Sequence, residues 1–245
     1  MKGLAGKTAL VTGGGGAIGS AICRRFAEAG AKLLVADRVR EAAERVAQEC
    51  KGKALVFDIA DYAAAKAALG AQSVDVLVNN AGWDRFQNFA DSNPDEWQQL
   101  IDINLRGPLH MQHLLLPQML ARGSGRIVNI SSDAARVGSS GEAVYSACKG
   151  GVISFSKTLA REVARKGITV NVVCPGPTDT PILRGFLGEG EAGQKVYDAL
   201  VRAIPMKRVG QPDDIPGVVV FLASEEAGFI TGQVISVSGG LTMAG

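Results

Sequence analysis

The sequence has few of the residues that build disulfide frameworks or zinc sites. Four of its 245 residues are cysteines, at positions 23, 50, 148 and 174, and none forms a CxxC pair. The two histidines, His110 and His113, have no acidic or thiol partner close in sequence, so we expect no metal and no disulfide scaffold. They lie one helical turn apart and could share a ligand, but we interpret them as a helix face at a subunit contact.

The sequence also lacks a strong charge imbalance and long apolar runs. Its 26 basic and 24 acidic residues give a formal charge of +2, which argues against nucleic acid or an anionic membrane as a partner. No apolar stretch approaches the roughly 20 residues of a membrane span, and the first residues do not resemble a secretion signal. We therefore expect a cytoplasmic protein that acts on small molecules.

Short apolar runs alternate with helical patterns along the chain. The runs are rich in β-branched residues and lack polar alternation, which is typical of parallel strands covered by helices on both faces. This order predicts the α/β class, with one domain over residues 1–245 and a doubly wound (Rossmann) parallel sheet of about seven strands. The predicted strands are Thr8–Thr12, Lys32–Asp37, Ala54–Asp58, Val74–Asn79, Arg126–Ser131, Ile168–Cys174 and Gln233–Val237.

The segment from about 176 to 205 is the least regular part of the chain. It contains several prolines and glycines and lies between the sixth predicted strand and the next convincing helix. Long irregular connections in compact domains are often active-site lids. We expect this segment to cover the substrate.

A glycine-rich turn joins the first predicted strand to the first predicted helix. Glycines permit positive φ and let the backbone approach a pyrophosphate, while the helix N-terminus offers free N–H groups. A merely flexible turn is the alternative, but the strand-to-helix placement favours a dinucleotide. The residues expected at this site are Gly13, Gly15, Gly16, Ala17, Ile18 and Gly19.

Asp37 ends the second predicted strand, roughly 20 residues after the glycines. A carboxylate there can accept hydrogen bonds from the adenosine ribose and repel a 2′-phosphate, which favours NAD over NADP. The neighbouring Arg38 weakens this preference, because a basic side chain could contact a 2′-phosphate. Asp37 could instead be a strand-end cap.

Polar or glycine residues also follow the third and fourth predicted strands. Asp58 and Ile59 stand at the end of the third, and Asn80, Ala81 and Gly82 follow the fourth. Because the carboxyl ends of parallel strands meet at one sheet edge, we expect a ligand crevice there.

Tyr145 and Lys149 are four residues apart in a helical segment, so both side chains project from one face. A nearby ammonium would stabilise the phenolate and lower the pKa of Tyr145 towards neutrality. Ser132 follows the fifth predicted strand and can orient a substrate oxygen. Ser131 is the competing candidate, but successive strand residues face opposite ways, so one of the two is expected to serve.

Asn104 lies in a helical stretch that contains Gly107 and Pro108. Proline lacks an N–H, so Pro108 cannot satisfy the carbonyl of Asn104. That carbonyl could hold a water near Lys149 and give a proton route to solvent, although an ordinary proline kink is the alternative.

Together these motifs resemble the short-chain dehydrogenase/reductase family over essentially the whole chain. The resemblance implies an NAD-dependent enzyme that interconverts a secondary alcohol and a ketone, and usually a homotetramer. It implies that Tyr145 is the acid/base, Lys149 binds the nicotinamide ribose, Ser132 positions the reacting oxygen and Asn104 supports the proton relay. One position differs from the family's glycine motif: Ala17 stands where that motif usually has its second glycine. Further implied cofactor contacts are Asn80, Pro175, Gly176, Thr178 and Thr180.

Several runs, including residues 80–84 and 132–142, further resemble 2-hydroxycyclohexanecarboxyl-CoA dehydrogenases. The expected substrate is thus 2-hydroxycyclohexanecarboxyl-CoA or a related cyclic hydroxyacyl-CoA. A 3-oxoacyl-thioester (ACP or CoA) reductase is the nearest alternative, and a non-catalytic NAD-sensing regulator is a third. Trp83 is either an apolar wall for a saturated ring or an anchor for its loop. Other candidate substrate contacts are Glu142 and, for the CoA phosphates, Arg136, Arg184 and Arg202.

Overall fold

The computed structural model describes residues 1–188 and 190–244. Seven parallel strands form one sheet in the order β3-β2-β1-β4-β5-β6-β7, which confirms the predicted doubly wound fold. The strands are β1 (Thr8–Thr12), β2 (Lys32–Asp37), β3 (Lys53–Val56), β4 (Val76–Asn79), β5 (Gly125–Ile130), β6 (Ile168–Pro175) and β7 (Val234–Val237).

Helices connect the strands and cover both faces of the sheet. They are α1 (Ala17–Glu28), α2 (Arg40–Glu49), α3 (Tyr62–Leu69), α4 (Pro94–Ile101), α5 (Gly107–Arg122), α6 (Ala134–Val137), α7 (Ala143–Val163), α8 (Pro181–Leu187), α9 (Gly190–Ala203) and α10 (Pro216–Ala223). No helix in the described part of the chain is long and apolar enough to cross a membrane.

The core has two layers because successive strand residues point to opposite faces of the sheet. In β1, Ala9 and Val11 pack in a cluster with side chains of α1 and α10, such as Phe26. Leu10 packs in the second cluster, with side chains of α3, α5 and α7, such as Met111. The uninterrupted apolar strands predicted from the sequence follow from burial on both sides.

The strand order reverses between β1 and β4, which are neighbours in the sheet. From β1 the sheet continues to β2 and β3 on one side, and from β4 it continues to β5, β6 and β7 on the other. The connections leaving these two strands depart in opposite directions, which opens a crevice at their carboxyl ends. Thr12, Asn79 and Ile130 end β1, β4 and β5 at this edge. The glycine turn and the two serines therefore converge on one crevice.

The bounds of five predicted strands differ from the structure by one or two residues, and two differences bear on the site. Strand β3 ends at Val56 and not at Asp58, because Asp58 turns the chain with its own carboxylate, whose Oδ1 accepts from Ala60 N at 2.8 Å. The stretch predicted to be irregular after β6 is largely helical, since it contains α8 and α9. One of the prolines that suggested an irregular segment, Pro181, stands in the first turn of α8, where its missing N–H costs little.

Candidate active site

The glycine turn is packed so closely that side chains would not fit at several of its positions. Gly13 has a φ of +61°, and a Cβ there would lie 2.7 Å from the Ala81 Cα. A Cβ on Gly19 would lie 2.0 Å from the Gly13 carbonyl oxygen. Gly16 is the N-cap of α1, and Ala17 begins the helix, so its methyl group is tolerated at a position with helical φ. The turn presents the start of α1 to the crevice, as an anion site requires.

Asn80 and Thr12 hold this turn in place. The Asn80 side-chain Nδ2 donates to the carbonyl oxygens of Thr12 and Gly13, at 3.0 and 3.1 Å. The Thr12 hydroxyl accepts from the backbone N–H groups of Asn80 and Ala81, at 3.0 and 3.1 Å. The described contacts thus make Asn80 a brace between β1 and β4. Thr12 was not predicted to be a site residue, although its position at the end of β1 could have identified it.

Asp37 faces the glycine turn from the end of β2. Its Oδ2 accepts from Gly15 N and its Oδ1 from Val39 N, both at 3.0 Å, so it also acts as the strand-end cap that was the alternative. Arg38 is exposed beside it. Arg45 was not predicted as a site residue, but its guanidinium donates from α2 to the Gly15 carbonyl at 3.2 Å.

Asp58 and Ile59, which were predicted to lie at the carboxyl edge of the sheet, are in the turn after β3. The Ile59 side chain packs on Gly107, where a Cβ would lie 2.5 Å from the Ile59 Cδ1, and the Ile59 carbonyl lies 3.0 Å from His110 Nδ1. His113 Nδ1 lies 2.8 Å from the Tyr62 hydroxyl. The two histidines therefore bind α3 and its preceding turn, and the described residues include no cluster of three metal-ligating side chains.

Tyr145, Lys149 and Ser132 meet at the carboxyl edge of the sheet. The Lys149 Nζ lies 5.6 Å from the centre of the Tyr145 ring and donates to the Ile130 carbonyl at 3.0 Å. The Ser132 hydroxyl lies near the Tyr145 phenol and lowers its pKa. Lys149 is buried beneath the half-buried phenol. Two hydroxyl groups are thereby presented side by side, with an ammonium behind them.

Ser131 points away from this group, as the alternation of strand side chains requires. Its buried hydroxyl donates to the Lys149 carbonyl at 2.9 Å, on the α7 side of the sheet edge. The Ser132 hydroxyl accepts from Ala134 N at 3.2 Å at the start of α6. The structure therefore places Ser132, and not Ser131, beside Tyr145.

Burial and two carboxyl groups control the protonation of the phenol. Burial raises the pKa of Tyr145 above its ordinary value, the nearby Asp84 and Glu142 raise it further, and the hydrogen bond from Ser132 lowers it. This is opposite to the direction predicted from the Lys149 charge alone. Burial also lowers the pKa of Lys149 to about 8. The tyrosine therefore carries its proton at neutral pH and can act as a proton donor.

Asn104 lies in a π-helical turn (Asp102–Arg106) and not in a simple proline kink. Its side chain is buried and binds the loop that carries Trp83: Nδ2 donates to the Trp83 carbonyl at 2.6 Å, and Oδ1 accepts from Trp83 N at 3.2 Å. A Cβ on Gly82 would lie 3.2 Å from Asn104 Oδ1 and 3.3 Å from Lys149 Nζ. Asn104 and Lys149 therefore flank the same glycine, and the Trp83 loop is firmly anchored.

Pro175 and Gly176 lead from β6 into the predicted lid. The Thr178 hydroxyl donates to the Gly176 carbonyl at 2.9 Å, and the Thr180 hydroxyl caps α8 by accepting from Leu183 N at 3.3 Å. A Cβ on Gly176 would lie 2.8 Å from the Ser238 Cβ, so this turn is fixed against the segment after β7. The backbone of the turn runs along the crevice edge.

The structure shows what the predicted CoA-binding arginines contact. Arg136 donates to the Ser236 hydroxyl at 2.8 Å and to the Ala244 carbonyl, so its guanidinium holds the C-terminal segment. Arg184 is exposed on α8 and paired with Asp179 at 2.7 Å. Arg202 is exposed near the end of α9.

Comparison with known proteins gives concordant results. A family model described as enoyl-(acyl carrier protein) reductase matches residues 15–242. The acetoacetyl-CoA reductase of Shinella zoogloeoides is 42% identical over 96% of this chain and 98% of its own. The 3-oxoacyl-[acyl-carrier-protein] reductase of Escherichia coli is 37% identical over 97% of this chain and 98% of its own.

Two solved structures have the same fold. A 3-oxoacyl-[acyl-carrier protein] reductase with bound NAD from Brucella melitensis has a TM-score of 0.90 and 33% identity, and the match covers 98% of this chain and 92% of that one. A gluconate 5-dehydrogenase from Burkholderia cenocepacia, in complex with NADP and tartrate, has a TM-score of 0.92 and 35% identity, with 98% and 97% covered.

Proposed function

The chain belongs to the short-chain dehydrogenase/reductase family, and from that premise we propose that it reduces 3-oxoacyl thioesters to 3-hydroxyacyl thioesters, reversibly and with a nicotinamide cofactor. The observation that carries the chemistry is the adjacency of the Ser132 and Tyr145 hydroxyls over the buried Lys149. Relatives named acetoacetyl-CoA reductase and 3-oxoacyl-[acyl-carrier-protein] reductase support the thioester class. The chain also has all four residues of the catalytic set, which argues against the alternative of a non-catalytic NAD-sensing regulator. These residues are Asn104, Ser132, Tyr145 and Lys149.

The residues around the crevice fit a dinucleotide. The glycine turn leaves its backbone open to a pyrophosphate at the start of α1, and Gly15 and Asp37 stand together where the adenosine ribose would lie. The other cofactor contacts that we propose are Gly13, Gly16, Ala17, Ile18, Gly19, Arg38, Asp58, Ile59, Ala81, Gly82, Pro175, Gly176, Thr178 and Thr180, with Asn80 as the brace. Asp37 supports NAD as the preferred cofactor. When bound, the nicotinamide supplies or accepts the hydride.

The protein's own groups manage the substrate oxygen and its proton. In reduction, Ser132 holds the ketone oxygen and Tyr145 donates its phenolic proton as the alcohol forms. The high pKa of Tyr145 suits this direction, because the phenol carries its proton throughout the neutral range. Lys149 faces the crevice beside Gly82 and binds the nicotinamide ribose, and Asn104 holds the loop next to it and supports the proton relay.

A cyclic thioester, 2-hydroxycyclohexanecarboxyl-CoA, is the second candidate. It is itself a 3-hydroxyacyl thioester, in which the ring contains both the α and the β carbon. The half-buried Trp83 beside the crevice supports it, because a rigid aromatic side chain can pack on a saturated ring. The full-length relatives favour the linear substrate, so the cyclic one is a refinement to be tested against it.

We further propose that the enzyme is a cytoplasmic homotetramer. Phe229, which precedes β7, and Met243, which follows it, are 105% and 83% exposed. Large exposed apolar side chains are candidates for burial against a partner. Light scattering on the purified protein distinguishes a tetramer from a dimer.

The test is an assay of the purified protein with acetoacetyl-CoA and either NADH or NADPH, and with 2-hydroxycyclohexanecarboxyl-CoA and either NAD or NADP. We expect turnover of acetoacetyl-CoA with NADH that is lost in Tyr145→Phe. Exclusive turnover of the cyclic thioester would instead establish the second candidate. Absence of turnover with both would contradict the proposal.

A further inference from the structure

Four buried polar side chains lie in the core between the sheet and the helices α5 and α7. They come from four different elements and are linked by hydrogen bonds, and we call them the polar network: Asn79 (β4), Gln112 (α5), Asn129 (β5) and Ser156 (α7). Each of them is at most 3% exposed. Polar groups that pair with one another in the core hold the elements that carry them in a fixed arrangement.

Asn129 is the centre of the polar network. Its Nδ2 donates to the Gln112 Oε1 at 3.2 Å and to the Ser156 hydroxyl at 2.8 Å. Its Oδ1 accepts from the Asn79 Nδ2 at 2.8 Å. A single buried side chain of β5 is thereby joined to β4, to α5 and to α7.

The network ends on two backbone carbonyls, which fixes the direction of its bonds. Gln112 Nε2 donates to the Pro108 carbonyl at 3.0 Å, and the Ser156 hydroxyl donates to the Val152 carbonyl at 2.6 Å. Because a carbonyl can only accept, the Gln112 Oε1 and the Ser156 oxygen are left to accept from Asn129. An apolar side chain at position 112 or 156 would therefore leave a buried N–H of Asn129 without its acceptor.

The Pro108 carbonyl lies just after the π-helical turn that carries Asn104. In that turn, Gly107 N donates to the Asp102 carbonyl, five residues earlier. Pro108 itself has no N–H that could donate to Asn104. A bond that spans five residues instead of four adds one residue to the turn, so the direction in which Asn104 faces depends on where α5 resumes. Gln112 holds that point of α5 against the sheet.

The other end of the network lies on the helix that carries Tyr145 and Lys149. Ser156 is on α7, two turns after Lys149. Lys149 and Asn104 meet at Gly82, whose Cβ position lies 3.3 Å from Lys149 Nζ and 3.2 Å from Asn104 Oδ1. A shift of α5 relative to α7 would therefore change how these two groups face each other.

We propose that the polar network positions Asn104 against Lys149 and Tyr145, and thereby sets the rate at which Tyr145 delivers its proton to the substrate oxygen. This inference rests on the proposed function, in which these three residues handle the proton. The members of the network act through Asn104, so they are positioning residues. Gln112 should have the largest effect, because it holds the first turn of α5 directly after the π-helical turn.

The first experiment compares two glutamines of α5. Gln112→Met removes two bonds of the network. Gln118→Met removes two bonds near the other end of the same helix, to Val74 N at 3.0 Å and to the Gln72 carbonyl at 3.3 Å. We measure the single-turnover rate of acetoacetyl-CoA reduction by the NADH complex, and the dissociation constant for NADH. Gln112→Met is expected to lower the rate by about tenfold or more with unchanged NADH binding, and Gln118→Met to change it less than about twofold.

A second pair of variants makes the test independent of whether Gln112→Met folds. Ser156 and Thr158 each donate to a carbonyl four residues earlier in α7, and Ser156 also accepts from Asn129. Thr158 is exposed. Ser156→Ala is expected to lower the single-turnover rate by about threefold or more, whereas Thr158→Ala should leave it unchanged.

A double-mutant cycle with Asn104→Ala distinguishes positioning from a general loss of structure. If the network acts through Asn104, Gln112→Met or Ser156→Ala slows the wild type but changes the rate of Asn104→Ala less than about twofold. Equal factors in the two backgrounds would overturn the inference while the proposed function stands. The same holds if both network variants are as fast as their controls. If wild type does not reduce acetoacetyl-CoA, the proposed function fails and the inference fails with it.

Discussion

At the scale of single residues, the site depends on close approaches that a small side chain would disturb. Gly82 stands between Asn104 Oδ1 and Lys149 Nζ, and its Cβ position lies 3.2 and 3.3 Å from them. These distances are shorter than carbon normally tolerates, so one of the two polar groups must shift. The positions of Asn104 and Lys149 therefore depend on the absence of a side chain at Gly82.

We expect Gly82→Ala to lower kcat by about tenfold to a hundredfold, because small displacements of catalytic groups are costly. Its melting temperature should change little, since Gly82 is exposed and its φ is not in the left-handed region. Gly217→Ala in α10 is the matched control, because open space surrounds that position. The control should keep full activity and gain about 0.5–1 kcal/mol of stability. Equal kcat in both variants would refute this account of Gly82.

The burial of Lys149 behind the Tyr145 phenol lowers the stability of the folded protein. Its folded pKa is about 8, below the ordinary 10.5, because the charged form is buried. Between these two pH values the unfolded chain binds more protons than the folded one, so the contribution of Lys149 to stability rises with pH. We predict that the free energy of unfolding of wild type, relative to Lys149→Met, increases by up to about 3 kcal/mol from pH 8 to 10.5. Denaturant unfolding at several pH values measures it, and a constant difference would contradict the prediction.

At the scale of elements, the strands were predictable and the lid was not. Buried parallel strands are marked by uninterrupted β-branched runs, and β1 and β2 have the predicted bounds. The segment that we expected to be an irregular lid contains α8 and α9, whose helical pattern is hidden by Pro181 and by several glycines. The contact between the loops of Asp84 and Glu142 could not be predicted, because 57 intervening residues separate them and the loops meet only through tertiary packing.

An aromatic contact joins the predicted lid to the loop of Phe86. The Phe186 ring of α8 lies 3.9 Å, centre to centre, from the Phe86 ring, which packs on Gly141. We expect Phe186→Ala to raise the KM for the acyl substrate severalfold while the melting temperature changes little, because aromatic pairs contribute about 0.5–1.5 kcal/mol beyond burial. Ile182→Ala, on an exposed position of the same helix, is the control. The idea fails if both variants have the same KM.

At the scale of the whole molecule, the fold positions chemistry by topology. The reversal of strand order between β1 and β4 opens the crevice, and Asp37, Asn80, Ser132 and the turn at Gly176 reach it from four different strands. Their convergence was predictable, because each follows a strand in the sequence. The partners of the side chains were not predictable: Asn80 binds the glycine turn, and the Ser131 hydroxyl donates to the Lys149 carbonyl.

The central claim is that Tyr145 donates the proton to the substrate oxygen. The most direct test is a single-turnover reduction of acetoacetyl-CoA by the NADH complex, in wild type and in Tyr145→Phe, together with the dissociation constant for NADH. The account predicts unchanged NADH binding and a rate lowered by about a hundredfold to ten-thousandfold in the variant. A Tyr145→Phe rate within about tenfold of wild type would contradict it, since general acid catalysis contributes more than that.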